Sequence, residues 1–368
     1  MMKDGKLKSF VKNLIVMCLI LSSVFALSIF FLNGDKAKPV LATENISGKD
    51  RLKVYAGGEN IGIKISTKGV LAVAFSDIES KNGKLIKSPA EVGDIDLGDV
   101  ILKIDGKEIS TSKELLGVVS ESKTGTIALV IDRDGDLINK KVKLVENKKG
   151  DYKLGLWVRD STAGIGTMTF FDDNTGLYGG LGHPITDGET DKIISVGKGS
   201  LVKSTVVNVR KGEIGSPGEL KGIFNNDRIT LGTVGKNTTT GIYGVVNEKN
   251  KINYKNEKNL YEIAYKSETK AGPAQIITTI NEEGPKYYEI SIEKILDTSK
   301  GPNKNMLIKI TDPELLEKTG GIVQGMSGSP IIQNGKIVGA VTHVLVNKPN
   351  IGYGIYIENM LKDANLLK

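Results

Sequence analysis

A serine held between two glycines and closed by a proline, Gly325-Met326-Ser327-Gly328-Ser329-Pro330, is the part of this chain best suited to chemistry. Glycine opens backbone angles that other residues resist. Proline fixes the direction in which the chain leaves. Such a turn can present Ser327 Oγ outward while the N–H groups of Gly325 and Ser327 point at one spot, as a nucleophile with an oxyanion hole requires. The residues that follow, through Thr342, read as two strands joined at Asn334-Gly335, a strong hairpin signal.

A serine nucleophile needs a base, and the chain has two histidines. His183 sits in Gly180-Leu181-Gly182-His183-Pro184, after a pattern of strand, turn and strand over residues 164–180. Its glycine-rich setting exposes the ring, and it is the predicted general base. His343 lies in the apolar strand from Ala340 to Val346 and reads as a core histidine, placed where it could also touch substrate. Acidic candidates for the third member are Asp187, Asp227, Asp297 and Asp312. Spacing favours Asp227. Asp312 opens Asp312-Pro313-Glu314-Leu315, which has the form of a helix start with Asp as cap and Pro in the first turn.

The serine segment resembles that of chymotrypsin-like proteases, with Met326 and Ser329 as departures from the usual Asp and Gly. A longer match covers Thr311 to Pro330, Gly182-His183-Pro184 and Ala340-Val341-Thr342-His343-Val344. Together these strings resemble the stage IV sporulation protein B peptidases of endospore-forming bacteria. The resemblance runs from an N-terminal anchor through a PDZ domain to the C-terminus. It implies a catalytic triad of His183, Asp312 and Ser327, and so prefers Asp312 where spacing prefers Asp227. It implies regulatory limited proteolysis of a membrane-associated partner during sporulation, in the space between forespore and mother-cell membranes, activating a sigma-factor processing pathway. The rival readings are a non-catalytic PDZ adaptor with a protease-like fold and an extracytoplasmic quality-control protease, although the latter usually place the protease before the PDZ domain.

The elements that must position these residues follow from composition and pattern. The chain has 368 residues, 39% of them hydrophobic, enough for two modest domains and a tether. Net charge is +7, but acidic residues are interleaved, and no basic block with aromatics points to nucleic acid. The single cysteine, Cys18, and two histidines leave too few ligands for the usual zinc patterns, so neither metal nor organic cofactor is expected. Leu14 to Leu32 is an uncharged apolar run preceded by Lys3, Lys6, Lys8 and Lys12. It is long enough to span a bilayer and predicts a cytoplasmic N-terminus; a cleaved signal peptide is its competitor.

The expected organisation is an anchor over residues 1–32, a tether over 33–51, a PDZ domain over 52–150 and a peptidase domain over 155–368. The PDZ reading rests on Gly69 to Phe75 and on Leu97-Gly98-Asp99-Val100-Ile101-Leu102, followed by a turn at Asp105-Gly106. Thr111 and Glu114 form a capping box. PDZ domains hold extended peptides by strand addition, and Ile61-Gly62-Ile63 are the expected carboxylate-loop residues. From residue 155 onward, short strands with Gly and Asn turns predict a mainly β, chymotrypsin-like double barrel that ends in a helix near Glu358 to Leu367.

Overall fold

A computed structural model of the chain describes residues 51–224, 229–296 and 301–368. The anchor expected over residues 1–32 and the tether over 33–51 fall outside them, Arg51 excepted. Among the described residues no helix is long and apolar enough to cross a membrane. The described chain is mainly β.

It starts with β1 (Lys53–Ala56) and the 16-residue β2 (Asn60–Phe75). The C-terminal half of β2 pairs with β3 (Val100–Ile104). Helix α1 (Ser112–Ser120) starts at the Thr111/Glu114 capping box expected from the sequence. Then β4 (Thr126–Arg133) and β5 (Asp136–Lys143) form a hairpin. Ile127, Leu129 and Ile131 alternate inward along β4, the period-2 pattern of a half-buried strand. They pack with Val70, Ile101, Leu115 and Val142 into a core of their own. This is the PDZ region.

The rest is built on β6 (Leu156–Phe171), β7 (Leu177–Gly180), β8 (Lys198–Arg210), β9 (Glu219–Phe224), β10 (Thr230–Thr238) and β11 (Gly241–Val246). The N-terminal half of β2 pairs with β6, β6 with β7, β7 with β11, β11 with β10, β10 with β8, and β8 returns to β2. The ring closes, so no edge is left open. Ile61, Ile63, Ile65, Phe171, Tyr178 and Leu201 fill it. Residues 53–66, which the sequence groups with the PDZ region, therefore pair into the first barrel. The strand is continuous and changes partners near Thr67, so one segment serves both cores.

A second ring follows β12 (Leu260–Ile263). It comprises β13 (Gly272–Thr278), β14 (Lys286–Ile295), β15 (Met306–Ile310), β16 (Pro330–Gln333), β17 (Lys336–Leu345) and β18 (Lys348–Tyr356). The order is β13–β14–β15–β18–β17–β16 and back to β13. Its core includes Ile276, Ile290, Met306, Ile308, Ile331 and Val341. Between β15 and β16 stands α2 (Pro313–Thr319), and the chain closes with α3 (Ile357–Asp363). β1 pairs with β6 and β12, and β12 pairs parallel with β17, which ties the two barrels together.

Candidate active site

The serine turn joins α2 to β16 and is fastened to the first barrel from behind. Thr167 N–H donates to the Ser327 carbonyl (2.9 Å), and Thr167 Oγ1 donates to the Gly325 carbonyl (2.8 Å). Thr169 Oγ1 donates to the Gly328 carbonyl (2.7 Å). Both threonines are fully buried. The sequence holds a signal for this role: two hydroxyls at alternate positions in the otherwise apolar C-terminal half of β6, residues 164–171, share one face. The two departures from the chymotrypsin-like string also find reasons. Met326 is buried in the second-barrel core. Ser329 is buried too, its hydroxyl bonded to Thr278 Oγ1 (2.9 Å) and the Met326 carbonyl (2.7 Å).

Within this turn, the N–H groups of Met326, Gly328 and Ser329 are spent on carbonyls. Those of Gly325 and Ser327 donate to no acceptor among the described residues. Two such donors beside a serine hydroxyl are what a developing oxyanion needs. Ser327 Oγ itself donates to the Thr342 carbonyl (2.9 Å).

His183 follows β7 on a loop that reaches the same cleft. Ser327, Gly325, His183, Leu181, Gln324 and β9 residues line this cleft, which has a volume of 660 Å³. His183 Nδ1 lies 2.8 Å from the Pro184 carbonyl. A carbonyl only accepts, so Nδ1 carries the proton and Nε2 is the basic nitrogen. Burial holds the His183 pKa below its ordinary value, which keeps the ring neutral and ready to accept a proton near pH 7.

The ring of His343 stands 5.1 Å from that of His183, centroid to centroid. Burial, and then the neighbouring His183 and Lys304, pushes its pKa down to about 4. Thus the residue read as a core histidine lies beside the predicted base. Both rings resist protonation in the folded protein, so the unfolded chain takes up protons first as pH falls below 6.5, the ordinary value. Stability is therefore expected to decline from about pH 6.5 towards about pH 4. Melting curves across that range check this, and a His343→Asn protein should show a shallower decline.

The acid is placed differently from the expectation carried by the resemblance. Asp312 caps α2: Leu315 N–H donates to Oδ1 (3.0 Å), and Glu289 N–H lies 3.3 Å from Oδ2. It does not line the cleft. Asp187 is buried and paired with Arg159 (2.7 Å). Asp227 and Asp297 lie outside the described residues. Among the described residues, then, no carboxylate hydrogen-bonds His183. The structure brings Ser327 and His183 to one cleft but leaves Asp312 out of it, with one carboxylate oxygen taken by the N-terminus of α2 and the other facing Glu289 N–H of β14. Asp312→Ala should cost about 1 kcal/mol of stability, while Asp312→Asn, an equally good cap, should be nearly neutral in denaturant titration. A large loss of kcat in a well-folded Asn variant would show that the carboxylate engages His183 in a rearranged state.

The expected carboxylate loop is also corrected. Ile61-Gly62-Ile63 lies mid-strand in β2, paired on one edge with β6 and on the other with β8. Ile61 and Ile63 are core residues, and a Cβ on Gly62 would lie 2.6 Å from both Phe224 and Val202. No backbone edge is free there. A groove of 660 Å³ lies instead between α1 and the start of β6, lined by Leu115, Leu116, Val119, Gly155, Leu156 and Trp157. Over residues 156–159, β6 pairs only with β2 among the described strands. Trp157 and Leu116 are exposed. Asp160 holds the helix in place, accepting from Ser112 N–H (2.7 Å) and Ser112 Oγ (2.8 Å). The sequence carried a signal in Leu154-Gly155-Leu156-Trp157, an apolar pattern after a glycine.

Residues 150–361 match the family model described as SpoIVB peptidase S55, and residues 69–144 match that of the PDZ domain. A curated protein of Clostridium perfringens (strain 13 / Type A), named "Putative zinc metalloprotease CPE1693", is 32% identical over 87 residues. That match takes in 23% of this chain and 26% of the relative, so the chain spans about a quarter of the relative's length. Among solved structures, the PDZ domain of the SdrC-like protein of Listeria monocytogenes is 23% identical over 26% of this chain and 90% of that one, with a TM-score of 0.21. The Rv3671c protease of M. tuberculosis in its active form is 10% identical over 56% of this chain and 76% of that one, with a TM-score of 0.34.

Proposed function

The chain belongs to the SpoIVB peptidase S55 family and is a serine endopeptidase, and from that premise we propose that it makes a limited, regulatory cut in a membrane-associated protein during sporulation. The observation that carries the catalytic reading is the shared cleft of Ser327 and His183, with the uncommitted N–H groups of Gly325 and Ser327 beside the nucleophile.

Ser327 Oγ rotates from the Thr342 carbonyl towards His183 Nε2 and attacks the scissile carbonyl carbon. Nε2 takes the hydroxyl proton and passes it to the leaving amine. The two N–H groups hold the oxyanion, and water then hydrolyses the acyl-enzyme ester by the same route. In the resting geometry the Pro184 carbonyl orients the imidazole. Asp312, assigned by the family resemblance, must move to reach it.

The PDZ groove supports a recruitment role. A peptide adding to the free edge of β6 would place side chains against Leu116 and Trp157. The apolar, lysine-flanked run at residues 14–32 supports action outside the cytoplasm at a membrane surface; the space between forespore and mother-cell membranes is the compartment this reading assigns. Labelling by a fluorophosphonate probe tests the enzyme reading, since a non-catalytic adaptor would not react and Ser327→Ala protein should lose the label. Leu116→Glu tests recruitment. Cleavage of the protein partner should fall about tenfold, through a raised KM, while a short chromogenic peptide is cut as before. Equal loss on both substrates would contradict recruitment through the groove.

A further inference from the structure

A second cavity, of 410 Å³, shares none of its lining residues with the cleft and is within the size range of small-molecule sites. Three buried oxygens in its lining have no hydrogen-bond partner among the described residues: Glu59 Oε2, Asn60 Oδ1 and Ser204 Oγ. Asn60 and Ser204 are more than nine-tenths buried. The β2–β8 ladder ends at Ile61↔Lys203, and the residues flanking that last pair, Asn60 and Ser204, both line the cavity. Glu59 adjoins them, and its backbone is pinned by Met168 N–H at 3.0 Å. Asn60 Nδ2 is already used on the Thr279 carbonyl (2.9 Å), which aims Oδ1 away from that bond. Val206, Leu231 and Tyr254 supply apolar wall.

Buried polar atoms are almost always satisfied, and three orphans in one cavity specify what is missing. Two of the three are an amide oxygen and a carboxyl oxygen, so the absent group is a donor. We propose that this cavity binds an aliphatic primary amine, its ammonium donating to Glu59, Asn60 and Ser204 and its hydrocarbon stem lying against Val206, Leu231 and Tyr254. A peptide N-terminus and a free amine share this chemistry. Burial pushes the Glu59 carboxyl above its ordinary pKa, and no cation among the described residues offsets that. Lys203, the cation in the lining, is exposed to solvent. An ammonium would supply the missing charge. The occupant would sit one strand pair behind the serine turn, because Asn60 pairs with Thr167.

The test uses the full chain carrying Ser327→Ala, so that peptides are not cut. Calorimetric titration and melting curves are recorded with 1,5-diaminopentane, with the tripeptide Ala-Leu-Ala bearing a free N-terminus, and with its N-acetylated twin. Saturable binding and a raised Tm are expected for at least one free-amine probe and not for the acetylated peptide. Diamine alone would identify a free amine as the ligand; peptide alone would identify a chain terminus. Glu59→Gln and Ser204→Ala should each weaken binding at least tenfold, and Ser204→Ala keeps the question answerable if Glu59→Gln fails to fold. Equal binding of the acetylated peptide, no saturable binding because water alone fills the cavity, or unchanged binding in the variants would overturn the proposal. So would Ca²⁺ binding that displaces the amine.

Discussion

Ser327→Ala and His183→Ala are each expected to lower turnover by about 10³-fold or more, with the melting temperature little changed. The magnitude follows from their acting as one unit: without the imidazole the hydroxyl stays protonated, and without the hydroxyl the imidazole has nothing to activate. Both side chains reach a solvent-filled cleft. Truncation there removes chemistry and little packing. Ser327 gives up its bond to the Thr342 carbonyl, and that carbonyl can be met by water. Steady-state rates on a peptide substrate decide the matter. Full activity in purified Ser327→Ala protein would remove Ser327 as nucleophile. The double variant should be no worse than either single one, and additive losses would mean that the two residues act separately.

Gly328→Ala should be nearly as damaging to activity, by at least about 10²-fold, without touching a reacting group. Gly328 has φ +96°, and a Cβ there would lie 2.1 Å from the Thr167 carbonyl oxygen and 2.5 Å from Leu181 N. The left-handed conformation alone costs roughly 1–2 kcal/mol, and the clash is with backbone on both sides. Thr167 holds the serine turn, and Leu181 leads into the loop that carries His183. One methyl group would thus push the nucleophile's turn away from both the oxyanion geometry and the base. A displacement of about 1 Å is enough to lose two orders of magnitude. Kinetics together with a melting curve check this: activity should fall far more than the fraction of folded protein. Near-normal kcat would show that the turn is not held as tightly as these contacts imply.

Much of the site was legible because its signals are local. Gly325 to Pro330 is a turn by composition, and the Asn334-Gly335 hairpin appears with φ of 51° and 70° at its two central residues. The Thr111/Glu114 box and the Asp312 cap likewise need only neighbours within one helical turn. Asp312 shows the limit of this legibility. A carboxylate before a proline reads both as helix cap and as triad acid, and local sequence cannot rank the two uses. In the folded chain its oxygens face the N–H groups of Leu315 and Glu289.

By itself, then, the sequence determined the serine turn, the histidine that follows a hairpin, the PDZ-like strand pattern and the mainly β class, because each is written in spacing over a few residues. Only the tertiary structure decided which strand edges remain open. Ile61-Gly62-Ile63 and Leu154-Gly155-Leu156 carry similar glycine-and-aliphatic patterns, yet the first is paired on both edges, with β6 and β8, whereas Leu156 pairs with β2 alone among the described strands. It also decided that Thr167 and Thr169, some 160 residues upstream of the serine, would hold its turn. His343, likewise, came to stand beside His183. Such relations depend on how the two closed rings meet, and barrel closure is set by long-range register that no short window of sequence contains.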